Sequence, residues 1–385
     1  MALFFYREGR SYPHNWHFAS LKETSLITHA RLQQKLARIN RDPLLTAKAV
    51  GLKYVSGAQA GWVRCRDKDC VQYVDADGQF CQDEEVLLRI KKLALPPAWE
   101  NVWICADEHG HLQATGIDAK GRKQYRYHPE WNNIRSQTKY YRLPQFADAL
   151  PLIRTRLEAD LKKTGFPYKK VLALAVLIME QTNIRVGNEE YKKLYGSFGL
   201  TTLQDKHVKV TGDALKFQFK GKKGVAHTLH LKSRKLARLI QQSRDIPGKE
   251  LFQYYDGQGN HRSIGSGDVN AYLKEISGMD FTAKDFRTWA GTVTAFNSFR
   301  ALGPAATATE TKSNILKTID QVALNLGNTR TVCRKYYIHP ALLMAYEKGD
   351  FFNYLPDETP TAEEKTWLSP EEQLVKNLLT GYAWQ

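Results

Sequence analysis

The sequence lacks any apolar run long enough to cross a membrane. The longest such run, Val171 to Met179, has nine residues, whereas a transmembrane helix needs about 20. Near the start of the chain, Arg7, Glu8 and Arg10 interrupt the apolar residues, which leaves no room for a signal-peptide core of roughly 7 to 15 residues. We therefore expect a protein that does not enter membranes and stays in the compartment where it is made.

Cysteine is scarce as well. The chain has five cysteines, and no two of them form a CxxC pair: Cys65, Cys70, Cys81, Cys105 and Cys333. An odd set without paired spacing argues against a disulfide framework and against a zinc site. The cysteine pattern therefore favours the reducing cytoplasm.

Motifs that bind nucleotides or metals are also missing. A phosphate loop around Gly221 and Lys222 would need Gly at position 216 and Ser or Thr at 223, where Lys216 and Lys223 stand. The sequence has no HExxH motif, and none of its acidic clusters has the spacing of a two-metal nuclease. We therefore expect no metal and no other cofactor.

Acidic residues are fewer than basic ones. Lys and Arg number 56 against 40 Asp and Glu, which gives a formal net charge of +16. Residues 349–385 contain seven acids and two bases, so residues 1–348 carry a net charge of +21. A basic excess of this size favours a polyanionic partner, with nucleic acid ahead of an anionic membrane.

The length of 385 residues is typical of two or three domains. From Leu52 to Tyr127, short alternating runs broken by turn signals such as Asp77-Gly78 predict a β-rich region. Helical spacing begins beyond the polar, basic segment 135–141. We therefore predict an α+β protein with a small β-rich domain, residues 1–134, and a mainly helical domain, residues 135–385.

The helical domain contains one predicted β-hairpin. Leu215, Phe217 and Phe219 alternate with polar residues, a basic turn follows at 221–224, and a second alternating run covers 225–231. Ser369-Pro370-Glu371-Glu372 predicts the start of a helix within the acidic tail. Further helical stretches are expected from about residue 146 and around 168–195, 232–244, 267–277, 282–300, 310–326 and 330–348.

Chemistry on a phosphodiester without a metal needs cationic donors, a nucleophile and an acid for the leaving oxygen. Arg185 follows an apolar helix that ends near Thr182, and Arg287 follows a capping box made by Thr282 and Asp285. Taken alone, each arginine is typical of a solvated surface position. A tyrosine such as Tyr337 is, taken alone, typical of ordinary packing.

Their joint order changes this interpretation. The motifs along the chain are IRVGN at 184–188, Gly221-Lys222 in the hairpin, KDFRT at 284–288, LGN at 326–328 and YIHP at 337–340. In this order they resemble the catalytic domain of type IB DNA topoisomerases, in the compact form that poxviruses and many bacteria share. QATG at 113–116 and GRKQYRY at 121–127 resemble the DNA-clamping β domain of the same family.

The resemblance implies the roles of five residues. Tyr337 would be the nucleophile, Lys222 the general acid, and Arg185, Arg287 and Asn328 the contacts to the scissile phosphate. Some members of the family have His where Asn328 stands, and because an amide donates a hydrogen bond but does not titrate, Asn328 is expected to bind phosphate. The choice of Lys222 over the neighbouring Lys220 and Lys223 rests on the Gly-Lys match and stays open.

The resemblance also implies contacts to double-stranded DNA. We expect Gln124, Tyr125 and Tyr127 to combine groove reading with stacking, although a half-buried strand with core tyrosines would have the same pattern. Arg135 is expected to contact the backbone as the clamp closes, and Tyr191 is a further DNA contact. The resemblance predicts a bacterial enzyme, monomeric, cytoplasmic and nucleoid-associated, that relaxes positive and negative supercoils through a 3′-phosphotyrosyl intermediate without ATP or metal.

Two alternatives use the same basic charge. A tyrosine recombinase shares the Arg-Lys-Arg-Tyr arrangement, but recombinases usually have His three residues before the second arginine, where this chain has Lys284. They also usually lack the QATG and GRKQY motifs. A non-catalytic, architectural DNA-binding protein would have no reason to keep the five-residue constellation.

Overall fold

The computed structural model describes residues 42–67, 70–119, 121–355 and 367–381. The charged residues near the start of the chain and part of the acidic tail, 356–366 and 382–385, lie outside them. Contacts divide the chain into two compact units, Met1–Thr138 and Lys139–Gln385, here called the sheet unit and the helical unit. The division falls four residues after the boundary expected from the sequence.

The sheet unit is built on one antiparallel five-stranded sheet with the order β2-β1-β3-β4-β5. Its elements are α1 (Pro43–Ala49), β1 (Gly61–Asp67), β2 (Cys70–Val74), α2 (Glu84–Lys92), β3 (Glu100–Cys105), β4 (Leu112–Ile117) and β5 (Lys123–Tyr127). The predicted β-rich region is therefore confirmed. The next helix, α3 (Pro129–Tyr141), covers the polar segment 135–141, for which the sequence showed no apolar period.

The core of the sheet unit is small and divided. One cluster joins Ile90 of α2 to Val102, Ile104 and Ala114 of the sheet. A second cluster joins Ala47 and Leu52 to Trp131 at the start of α3. Strand β4 is buried on both faces, whereas β5, at the edge, is not.

The helical unit carries most of the helices and a second, three-stranded sheet. Its helices are α4 (Leu143–Leu161), α5 (Tyr168–Thr182), α6 (Glu189–Tyr195), α7 (Arg234–Ser243), α8 (Ser266–Ser277), α9 (Ala283–Leu302), α10 (Ala308–Leu326), α11 (Arg330–Tyr336), α12 (Pro340–Lys348) and α13 (Pro370–Gly381). Its strands are β6 (Val208–Thr211), β7 (Ala214–Lys220), β8 (Ala226–Lys232), β9 (Gln253–Tyr255) and β10 (His261–Ser263). One continuous apolar cluster runs through these elements, and the mainly helical class is confirmed.

Local sequence signals explain several of these elements. The carboxylate of Asp285 accepts a hydrogen bond from the backbone N–H of Thr282 at 2.8 Å, so the predicted capping box starts α9. The predicted hairpin is formed by β7 and β8, whose seven residue pairs run from Ala214↔Lys232 to Lys220↔Ala226. Strand β6, which the sequence analysis did not predict, adds a third strand beside β7.

Two predicted helical stretches are interrupted. The stretch 168–195 breaks between α5 and α6, where Asn183 adopts a left-handed conformation with φ 57° and caps α5. The stretch 330–348 breaks after Tyr336, and Pro340 begins α12. Both interruptions place a candidate site residue, Arg185 or Tyr337, on irregular backbone beside a helix end.

The predicted helix in the acidic tail is confirmed as α13, and one of its acids fastens it to the core. Glu372 pairs with Arg154 at 2.7 Å and accepts a hydrogen bond from Trp289 Nε1 at 2.9 Å. Burial disfavours the charged form of Glu372, but the hydrogen bonds and charge of Arg154, together with hydrogen bonds from Ser369 and Trp289, offset it and lower the pKa of the carboxyl. In the part of the chain that the structure describes, no helix is both long and apolar enough to span a membrane.

Candidate active site

Four of the five predicted catalytic side chains meet in the helical unit. Arg185, Arg287, Asn328 and Tyr337 come from four separate segments, and hydrogen bonds or close contacts connect them. The fifth, Lys222, lies on the exposed hairpin turn, and no contact joins it to the other four within the described residues.

Arg185 is positioned by the end of α5. The left-handed turn at Asn183 ends that helix, and the guanidinium of Arg185 lies two residues further on, facing the loop after α10. Its Nη2 donates to the carbonyl oxygen of Gly327 at 3.2 Å and also to the side-chain oxygen of Asn328. The Arg185 side chain therefore orients the amide of Asn328.

Arg287 is buried in the first turns of α9, with 4% of its surface exposed. Its guanidinium donates to the carbonyl oxygen of Leu326 at 2.8 Å and to that of Asn183. The interpretation of Arg287 as a surface arginine is therefore wrong. Two helix ends direct carbonyls without intrahelical partners at this side chain, and sequence spacing gave no sign of them.

Asn328 follows a left-handed glycine. Gly327, with φ 58°, caps α10, and the backbone N–H of Asn328 donates to the carbonyl oxygen of Ala323 at 3.0 Å. Within the described residues, two buried donors of this site have no hydrogen-bond partner, Nδ2 of Asn328 and Nε of Arg287. Buried donors are normally paired, so this site is suited to a ligand with several acceptor oxygens.

Tyr337 lies at the end of α11, and its half-buried ring is 5.4 Å from the guanidinium carbon of Arg287. Helix α9 leaves room for it, because a Cβ at Gly291 would come within 2.5 Å of the Tyr337 carbonyl oxygen. Thr292, the next residue, accepts a hydrogen bond from the backbone N–H of His339 at 3.2 Å. The absence of a side chain at Gly291 therefore admits the segment that carries Tyr337 to this face of α9.

The electrostatic environment is strongly cationic. Burial lowers the pKa of both guanidiniums, and repulsion by Arg185 contributes to the shift of Arg287; arginine stays charged nonetheless. Burial raises the pKa of the Cys333 thiol to about 11, although the two arginines oppose the shift. The thiol is therefore neutral at physiological pH. It does not compensate the positive charge of the two arginines.

Lys222 occupies the turn between β7 and β8. Lys220, Lys222 and Lys223 are all exposed there, and Lys223 adopts a left-handed φ of 62°. The Gly224 N–H donates to the Gly221 carbonyl oxygen at 3.0 Å, which closes the turn.

Two residues of this region were missed by the sequence analysis. His227 lies between the hairpin and the Asn328 loop, since a Cβ at either Gly221 or Gly327 would come within 2.6 Å of its ring. Burial lowers the pKa of His227, with repulsion from Arg185 and Arg287 adding to it. Lys139 lies 5.0 Å from the ring centroid of Tyr337. In the sequence, a histidine five residues after Lys222 was a weak signal for the first of these residues. Nothing in the sequence pointed to Lys139.

In the sheet unit, the predicted DNA contacts of β5 lie on two faces. The rings of Tyr125 and Tyr127 stack with their centroids 6.0 Å apart, and Tyr125 is 49% exposed. Tyr127 also packs against the second core cluster. Gln124 is on the opposite face, where its amide donates to Asp118 at 2.8 Å. Strand β5 therefore carries an exposed tyrosine, Tyr125, which suits a DNA contact, and a core tyrosine, Tyr127, which suits a half-buried strand.

The two remaining predicted contacts lie on helices. Arg135, on α3, is exposed, and its guanidinium carbon lies 5.8 Å from the ring of Trp131. Tyr191, on α6 of the helical unit, is 45% exposed and neighbours Tyr195. Across the described ranges, no three His, Cys, Asp or Glu side chains group closely enough to hold a metal ion.

The sequence matches two family models. The model of the eukaryotic DNA topoisomerase I catalytic core matches residues 128–351, and that of the bacterial DNA topoisomerase IB N-terminal domain matches residues 71–118. The first match covers more than half of the chain and includes all five predicted catalytic residues.

Curated relatives agree with these models. The chain is 32% identical over 288 residues to DNA topoisomerase 1B of Acanthamoeba polyphaga mimivirus, covering 71% of this chain and 84% of that protein. It is 24% identical over 252 residues to DNA topoisomerase 1B of vaccinia virus strain Copenhagen, covering 63% of this chain and 75% of that protein. It is also 24% identical over 296 residues to DNA topoisomerase 1 of rabbit fibroma virus, covering 69% and 87%.

Proposed function

This chain belongs to the type IB DNA topoisomerase family, and from that membership we propose that it relaxes supercoiled DNA through a covalent bond between Tyr337 and a 3′-phosphate. The observation that carries the site assignment is the convergence of one buried and one half-buried guanidinium, one amide and one phenol. The unpaired donors Arg287 Nε and Asn328 Nδ2 suit the non-bridging oxygens of a phosphodiester, which carry its negative charge.

The proposed cleavage step exchanges one ester bond for another. The Tyr337 hydroxyl gives its proton to solvent, its oxygen bonds to phosphorus, and the bond from phosphorus to the 5′-oxygen breaks as that oxygen takes up a proton. Negative charge grows on the non-bridging oxygens during attack, and Arg185, Arg287 and Asn328 stabilise it with hydrogen bonds. Because a phosphodiester is kept throughout, the reversal that reseals the strand needs no ATP.

Lys222 is proposed to protonate the leaving 5′-oxygen. The turn that carries it is exposed and makes no described contact with the other four residues, so DNA would have to bring this lysine to the phosphate. Its hairpin is anchored beside the site through His227, which touches both Gly221 and Gly327. A general acid that is engaged only on DNA would limit the reaction to bound duplex.

The sheet unit is proposed to bind double-stranded DNA. The exposed ring of Tyr125 and the guanidinium of Arg135 suit stacking or phosphate contacts, and Tyr191 adds an exposed aromatic ring from the helical unit. Gln124 would need to leave Asp118 in order to read a base. A monomer that clamps the duplex in a bacterial, nucleoid-associated setting, working without a cofactor, completes the proposal.

The decisive experiment is relaxation of plasmid DNA in EDTA without ATP. We expect both positive and negative supercoils to relax, because a strand held by a phosphotyrosine allows the free 5′ end to rotate in either direction. Topoisomers of unchanged sequence, without recombined products, would separate this activity from that of a recombinase. A strict requirement for magnesium or ATP would contradict the mechanism.

A further inference from the structure

The first two residues of the helical unit contact the segment that carries Tyr337. Lys139 donates a hydrogen bond to the carbonyl oxygen of Tyr336, and the hydroxyl of Tyr140 donates to that of Lys335 at 3.0 Å. These carbonyls lie at the end of α11, where a helix offers no backbone donor. Consecutive side chains therefore hold the two peptide groups just before Tyr337.

Lys139 also contacts the tyrosine ring itself. Its ammonium nitrogen lies 5.0 Å from the ring centroid of Tyr337, and the guanidinium carbon of Arg287 lies 5.4 Å from the same centroid. Cations at such distances are attracted to the electron-rich face of an aromatic ring. The ring is therefore held by a cation on α3 as well as by the arginine on α9.

The position of Lys139 is unfavourable for the lysine. Burial, together with repulsion by Lys284, lowers its pKa to about 7. Among the described residues, no carboxylate oxygen lies within ion-pair distance of it. Half-burying a cation without an ion pair costs stability, and the attraction of Asp285 offsets only part of the fall in its pKa.

We propose that Lys139 is a positioning residue for the nucleophile, holding the end of α11 and the Tyr337 ring in the geometry for attack, with Tyr140 supporting the backbone. The inference rests on the proposed role of Tyr337 as the nucleophile. Tyr140 also contacts the segment after Tyr337, because its ring packs edge-on against that of His339 with the centroids 5.2 Å apart. The segment from 335 to 339 is therefore held between α3 and α9.

The test uses the full chain and a duplex that is cleaved in a single turnover. In Lys139→Met the donors and the charge are lost while the apolar stem is kept. Because a misplacement of about 1 Å can lower a rate about 100-fold, we expect the cleavage rate at saturating enzyme to fall by about 10-fold to 100-fold. DNA affinity, measured in a Tyr337→Phe background, should change less than about twofold.

Three variants make the result specific. Lys139→Arg should restore most of the rate, since a guanidinium donates to the same carbonyl. Lys317→Met makes the same substitution on the exposed face of α10 and should leave rate and affinity unchanged. Tyr140→Phe loses one hydrogen bond to the Lys335 carbonyl oxygen and should slow cleavage about fivefold.

The outcomes separate the two proposals. If Tyr337→Phe still forms a covalent complex, the proposed function fails. If that variant is inactive but Lys139→Met cleaves as fast as the parent, only the positioning role fails. It also fails if Lys139→Met loses affinity at an unchanged saturated rate, which would identify a phosphate contact. Should Lys139→Met not fold, an unchanged rate in Tyr140→Phe would overturn the proposal.

Discussion

In the helical unit the candidate site is held by backbone carbonyls within one continuous core, whereas in the sheet unit the expected DNA contacts lie on an edge strand and on an exposed helix surface. Arg287 shows the first arrangement, with 4% exposure and two carbonyl partners. Tyr125 shows the second, with 49% exposure beside two small core clusters. Stabilising charge in a transition state requires donors that are fixed in advance, whereas contacts along a duplex need only reach it.

Tyr337→Phe should separate the chemistry assigned to the helical unit from DNA binding more completely than any other variant. Only the nucleophilic oxygen is lost, so covalent complex formation and plasmid relaxation should fall below detection while DNA affinity persists. Gel detection of the protein–DNA adduct and a binding titration measure the two quantities. Tyr336, 39% exposed, is the matched control, and Tyr336→Phe should keep most of the activity. An inactive Tyr336→Phe would shift the assignment by one residue.

Lys222→Ala should lower the cleavage rate by about 10²-fold to 10⁴-fold, as expected when a general acid is removed. A substrate whose 5′ leaving oxygen is replaced by sulfur should recover, because a thiolate leaves without a proton. Arg185→Ala and Arg287→Ala should not recover, since these arginines are proposed to act on the non-bridging oxygens. Equal recovery of all three variants would remove the assignment, and recovery at Lys220 or Lys223 would move it along the turn.

His339→Asn should change the acid sensitivity of the helical unit. Burial lowers the pKa of His339 to about 3, whereas an unfolded histidine titrates near 6.5. The neutral folded histidine therefore contributes stability that is complete above about pH 6.5 and is lost as the pH falls towards 3. At about 1.36 kcal/mol per pH unit, the parent should lose about 2 kcal/mol between pH 6.5 and 5.

Asn cannot titrate, yet it can accept the hydrogen bond that His339 takes from the Ala341 N–H at 3.2 Å. Urea unfolding followed by the helical circular dichroism signal at several pH values measures the difference. We expect the variant to lack the 2 kcal/mol loss assigned to this one group. Parallel pH dependences in the two proteins would show that His339 does not protonate on unfolding.

Arg135→Ala should have the smallest effect and act on binding alone. The loss of one phosphate contact should reduce the slope of log affinity against log salt by about 0.9 and weaken binding a few-fold at moderate salt. The cleavage rate at saturating enzyme should not change. A binding titration at several salt concentrations measures the slope, and an unchanged slope would exclude Arg135 as a phosphate contact.

Sequence reasoning succeeded where the determinants are local. The capping box of Thr282 and Asp285, the turn at Gly221 and the start of α13 at Pro370 are each set by neighbouring residues, and all three were confirmed. The family motifs singled out Tyr337 among 19 tyrosines as the proposed nucleophile, and the structure brings its ring to 5.4 Å from the guanidinium carbon of Arg287.

It failed where partners come from distant segments. The carbonyls that bind Arg287 belong to residues 104 and 39 positions away along the chain, and Lys139 meets Tyr336 across 197 positions. The polar helix α3 was likewise not anticipated, because its buried residues, Trp131 near the start and Tyr140 near the end, are too far apart to form an apolar period. Such contacts depend on tertiary packing, and local pattern does not contain them.

The imidazole of His227 constrains how this chain can vary. Gly221 has φ −92°, which any residue can adopt, so only the ring of His227, 2.6 Å from an added Cβ, keeps a side chain out of that position. An added Cβ at Gly327 would meet the same ring, but Gly327 also has a left-handed φ. Glycine is therefore favoured at position 327 whether or not the imidazole at 227 is present. In a library randomised at these three positions and selected for folded protein, alanine at 221 should therefore occur together with a residue smaller than histidine at 227. Position 327 should remain glycine.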